Sequence, residues 1–126
     1  MTHQQSFTRA ENELLPKFRK MTNEAESTAD VQKFFIYCMQ ELFSNASDGQ
    51  LKLQFEDVEL LPEGEPPFML SEKLRSREEF IDAWSASDLP QIVGRFADLA
   101  LNRYKHLAKN PGKTEAKMHQ RTATGR

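Results

Sequence analysis

The stretch most suggestive of chemistry is NPGKTEAK, residues 110–117, which contains the Gly-Lys-Thr that closes a phosphate-binding loop. Such a loop wraps phosphate oxygens in backbone amides, and it needs a second glycine five positions before the Gly-Lys-Thr glycine. Leu107 stands there, and Gly112 follows a long helical pattern where the motif wants a strand before it and a helix after it. Asn110-Pro111-Gly112 reads as a helix stop.

Nucleophiles and metal ligands are sparse. Cys38 is the one cysteine and sits in FFIYCM, residues 34–39. An apolar setting raises a thiol's pKa and hides it, so this residue is expected to fill core space. His3, His106 and His119 share no ligand spacing. Glu56, Asp57 and Glu59 lack the loop spacing of a cation site and read as a solvated acidic edge that deters stray strand pairing. No catalytic set, metal set or cofactor motif assembles from these residues, which points away from an enzyme.

Charge is distributed unevenly along the chain. Residues 41–65 hold seven acids (Glu41, Asp48, Glu56, Asp57, Glu59, Glu63, Glu65) against Lys52, a net of −6. From residue 103 onward Arg103, Lys105, Lys109, Lys113, Lys117, Arg121 and Arg126 face only Glu115, a net of +6. Blocks of opposite sign attract within a subunit or between subunits. Lys105, Lys109, Lys113, Lys117 and Arg121 recur every four residues, a stripe able to follow phosphates. The same segment has no aromatic residue beyond Tyr104 to stack a base, and the whole chain is acidic, with a pI near 5.9. A helix-turn-helix over residues 78–99 is also disfavoured, because Asp82 and Asp88 occupy positions that motif fills with apolar side chains. Its surface would be acidic as well, and phosphates would repel it.

These residues need elements to hold them. A chain of 126 residues suits one core, here expected from residues 1–110, with 111–126 as a basic tail. The longest apolar run is six residues, against roughly 20 for a membrane span. With no secretory signal visible and a lone thiol, the expected compartment is the cytoplasm.

Phe7, Ala10, Leu14, Phe18 and Met21 mark one helix face, with Thr8 and Glu11 as a capping box and a kink or restart at Pro16. Ser27 or Thr28 caps a second helix, about 29–44, that is apolar on nearly every side and is expected at the centre of the core. LKLQF predicts a strand, with Leu51, Leu53 and Phe55 pointing one way, a bulge at Glu56-Asp57 and a resumption at Val58 and Leu60. FML, residues 68–70, returns as a second strand after the PEGEPP loop. Ser76 and Glu79 suggest a capping box for a third helix with Phe80, Ile81 and Trp84 facing inward, and Asp88 a cap for a fourth with Pro90 in its first turn.

The expected fold is mainly α, an α-dominated α+β: about four helices packed around the central apolar helix, with a small β-hairpin between the second and third. The core should include Phe34, Phe35, Cys38, Leu42, Phe80, Trp84, Ile92, Phe96 and Leu99.

Two strands alone are marginal in water, so the hairpin needs a helix or another subunit's edge to lie on. The functional expectation is a protein-interaction module that self-associates as a dimer or binds another protein. Leu51, Leu53 and Phe55 would form a strand edge for strand addition, and Phe68, Met69 and Leu70 the anchors of a loop contact. The alternatives are a nucleic-acid accessory protein using the basic tail, and a small enzyme or apolar-ligand binder with a pocket between helices.

Overall fold

A computed structural model describes residues 6–109. The chain runs α1 (Thr8–Glu24), α2 (Thr28–Ala46), β1 (Val58–Leu60), β2 (Phe68–Leu70), α3 (Glu72–Arg75), α4 (Glu78–Ser85) and α5 (Leu89–Lys109). A 3-10 turn, Phe55–Asp57, precedes β1. The fold is mainly helical, with an antiparallel hairpin between α2 and α3, as expected; α3 is one added turn. The basic segment 111–126, with Lys113, Lys117 and Arg121, lies outside the described residues.

Seven residues of α2 (Val31, Phe35, Ile36, Cys38, Met39, Leu42, Phe43) are buried. A helix this apolar must be covered on several sides at once. It is capped as expected, the Ser27 hydroxyl accepting from the Asp30 N–H at 3.1 Å. α1 and α5 pack on it and on each other, with Phe18 against Phe96 in an edge-to-face contact, ring centroids 5.3 Å apart. β1 buries Val58 and Leu60 against α2 and α5. Asp48 and Gly49 leave the helix with φ of 54° and 86°, left-handed values that glycine adopts without steric cost. Phe34, Trp84 and Leu99 are only partly buried, whereas Phe18, Phe43, Leu51, Leu60 and Leu74 belong to the deep core.

Four local expectations are corrected. The segment 51–54 is extended but is no strand. Side chains take two of its carbonyls and the one just before it: Lys52 and Gln50 accept from the Arg77 guanidinium at 3.5 and 3.1 Å, and Leu53 accepts from Gln40 Nε2 at 3.0 Å. With the backbone so occupied, Leu51 and Leu53 turn into the core and Phe55 is left outside. Second, Asp57 is neither a bulge residue nor solvated. It is buried, accepting from the Gln54 N–H at 2.8 Å and the Ser71 hydroxyl at 2.7 Å, and so closes the base of the hairpin. Third, α4 has no Ser76 cap, because that hydroxyl donates to Glu72 O in the preceding turn. Pro16, fourth, lies inside a continuous α1.

The start of α1 also differs, and the difference joins two helices. No capping box forms at Thr8 and Glu11. Asp88, expected to cap its own helix, instead accepts from the Phe7 N–H at 2.8 Å and from the Ser6 and Thr8 hydroxyls at 2.9 and 3.1 Å. Glu11 is buried and receives a two-pronged bond from Arg95, at 2.6 and 2.9 Å. At the other end of α1, Arg103 donates to Asn23 O and Ala25 O at 3.1 and 2.8 Å. Three side chains on or just before α5 thus satisfy α1 along its length and hold the two helices parallel.

Partial burial pushes the Asp88 carboxyl up, but the Phe7 N–H and the two hydroxyls outweigh it and hold the group below its ordinary value. A depressed carboxylate adds stability that is present above its unfolded pKa and is lost as pH falls through the folded value. Asp88→Ala is expected to cost about 1 kcal/mol at neutral pH and to flatten the acid limb below about pH 4. Thermal melts of both proteins from pH 7 to pH 2.5 check this.

Candidate functional site

Of the residues the sequence offered, the structure brings three together. Phe68, Met69 and Leu70 lie along β2 and line one wall of an apolar groove of about 510 Å³. The other wall is α4, through Phe80, Ile81 and Trp84, and Pro66, Arg75 and Ser85 complete the lining. Leu51 and Leu53 are core residues, and no strand edge exists at 51–55. Phe55 is exposed elsewhere, its ring 6.0 Å from that of the equally exposed Tyr37.

The groove is built outward from the core. Phe43 on α2 stacks on Phe80, centroids 6.0 Å apart and planes 7° from parallel, and Phe80 stacks on Trp84 at 5.2 Å. Trp84 then meets Phe68 edge-on at 6.3 Å. Each such contact adds about 0.5–1.5 kcal/mol beyond the area it buries. Trp84 therefore holds β2 and α4 at the distance of one ring contact. Met69 and Ile81 stand on either side, 50% and 47% exposed, although both are large apolar residues. Sequence reasoning placed Ile81 and Trp84 inside, because the helical period assigns them to the apolar face of α4. That period does not reveal that the face runs past its cover.

A second depression of about 430 Å³ lies among Phe7, Leu51, Leu89 and the acids Asp48, Glu79 and Asp82. Among the described residues no three His, Cys, Asp or Glu side chains are placed to hold a metal ion. Glu56 and Glu59 are exposed, and Glu59 pairs with Met69 across the ladder. Lys105 and Lys109 are exposed near the end of α5; the rest of the basic stripe lies outside the described residues. No described helix is long and apolar enough to cross a membrane.

Comparison with known proteins yields no matching family model, no matching curated protein and no matching solved structure.

Cys38 faces the core at 4% exposure; burial pushes its thiol well above the ordinary range, and nearby Glu41 adds to the effect. Because the thiolate is the reactive form, an aromatic disulfide reagent should modify Cys38 at least about a hundredfold more slowly in native protein than in denaturant. Absorbance of the released thiol in the two conditions measures the ratio.

Proposed function

We propose that this chain is a protein-interaction module whose docking face is the groove between β2 and α4, and that a second copy is one partner it accepts. The observation that carries the reading is the placement of Met69 and Ile81. Two large apolar side chains stay about half exposed on opposite walls of a concave apolar surface, and contact with a partner would remove that area from water. Trp84 and Phe80 behind them supply the rigid aromatic floor on which interface anchors concentrate binding energy. Stacking against Phe43 fixes that floor in advance, so little side-chain freedom remains to be lost on docking.

Light scattering after size exclusion tests self-association on the full chain. The expected result is a weak, concentration-dependent dimer that strengthens with salt, since the acids around the groove repel their copies until screened. Met69→Glu or Ile81→Glu should weaken it at least about tenfold. Both positions are solvent-exposed, so the fold should survive, which circular dichroism checks. A dimer that salt dissolves would assign the contact to the opposed charge blocks instead. A monomer at all concentrations would overturn self-association.

A further inference from the structure

β1 and β2 pair as Val58–Leu70, Glu59–Met69 and Leu60–Phe68. Main-chain bonds from Leu61 N–H to Pro67 O and from Ser71 N–H to Asp57 O, both 2.8 Å, bracket the ladder. In an antiparallel pair, mutually bonded positions alternate with unbonded ones, so between those two it is Glu59 and Met69 that exchange bonds. The main-chain groups of Phe68 and Leu70 therefore point away from β1. The structure bears this out at one of them: Leu70 O accepts from Arg75 Nε at 3.1 Å. The Phe68 N–H and C=O and the Leu70 N–H take no partner in the ladder, and an unpaired strand edge is the template onto which an extended chain adds. That edge borders the groove, so a segment lying along it would also place side chains against Ile81 and Trp84.

Charge selects among possible occupants. Residues 59–85 carry seven acids and three bases, a net of −4. Two of the bases are engaged: Arg77 donates to Gln50 O and Lys52 O and lies 3.8 Å from Glu79, and Arg75 bonds Leu70 O. Among the described residues that line the groove Arg75 alone is charged, and exposed acids stand in the segments next to it. Glu59 stands across from Met69, Glu63 and Glu65 lie in the loop leading to β2, and Glu78 lies one turn before Ile81 on α4. A second copy brings the same acids to the contact and is opposed by them. A cationic chain is drawn in.

We infer that the β2 edge takes an extended, lysine- or arginine-bearing segment of another protein as a third strand, its apolar side chains filling the groove. This rests on the docking reading above and names the chemistry of its preferred partner.

The test uses the full chain and two end-blocked heptapeptides, one alternating lysine with valine and one alternating glutamate with valine. Trp84, the one tryptophan, reports occupation of the groove through its emission. Amide hydrogen exchange reports the edge itself. The lysine peptide is expected to shift Trp84 emission saturably and to slow exchange at Phe68 and Leu70 at least about tenfold, with Met69 unchanged because its N–H is already paired. The glutamate peptide should bind at least about tenfold more weakly at low salt, with the gap narrowing as salt rises. An emission shift without slowing at Phe68 and Leu70 would keep the docking groove and overturn the strand pairing. Equal or tighter binding of the glutamate peptide would overturn the cationic partner. Slow exchange at Phe68 and Leu70 before any peptide is added would mean that a second copy or the chain's own basic segment already occupies the edge, which also overturns the inference. No response to either peptide overturns it too, while the docking reading still stands or falls on the light scattering.

Discussion

The structure depends on one demand, that α2 be covered on nearly every side. Val31, Phe35, Ile36, Cys38, Met39, Leu42 and Phe43 leave it too little polar surface to lie at the boundary of a core. Burying each large side chain of this kind stabilises the fold by roughly 1.5–3 kcal/mol relative to leaving it in water. The other elements are arranged as its cover. α1 and α5 pack along it, β1 lies across it, and the extended segment 51–53 is drawn in by Leu51 and Leu53. That segment joins no sheet, because Arg77 and Gln40 satisfy its carbonyls from the side. Backbone polar groups must find partners wherever they are buried, and here side chains from α2 and the start of α4 provide them.

Covering α2 does not by itself decide how the covering helices sit. Their register comes from the polar bonds between α1 and α5. Asp88, Arg95 and Arg103 meet α1 at its first amide, its first turn and its last carbonyls, so sliding one helix along the other would break all three contacts together. The Arg95–Glu11 pair is asymmetric: the carboxylate is buried while the guanidinium is half exposed. That geometry keeps much of the cation's hydration while neutralising an acid that would be costly to bury alone. The same junction ends α4, begins α5 and anchors α1, since Ser87 accepts from the Leu89 N–H beside Asp88. Groove wall and helix register are thereby fixed at neighbouring points of the chain.

The groove follows from the same demand. Phe43 of α2 is fully buried, and its stack with Phe80 and Trp84 of α4 extends the core's order toward the surface. The hairpin is too short to close over α4, so the apolar surface ends with Met69 and Ile81 still in water. The proposed docking surface is the rim of the core, held by the rings that hold the core itself.

Much of this was legible in the residues. The period of 3.6 marked α1, α2, α4 and α5, the apolar excess of α2 placed it at the centre, and Ser27 and Gly49 marked its ends through local chemistry that operates within four residues. FML identified β2 correctly. What depended on distant partners was not legible. Thr8 with Glu11 satisfies the pattern of a capping box, yet each side chain finds a better partner on the far side of the chain, in Asp88 and Arg95. LKLQF alternates as a strand does, but a strand also requires a neighbour to bond, and the nearest groups were the side chains of Arg77 and Gln40. Local sequence determined which segments are helical and which faces are apolar, because those follow from periodicity and short-range sterics. Only the tertiary structure decided where polar groups 80 residues apart would meet and which apolar residues would be left at the rim, because both depend on geometry that exists only once the helices have packed.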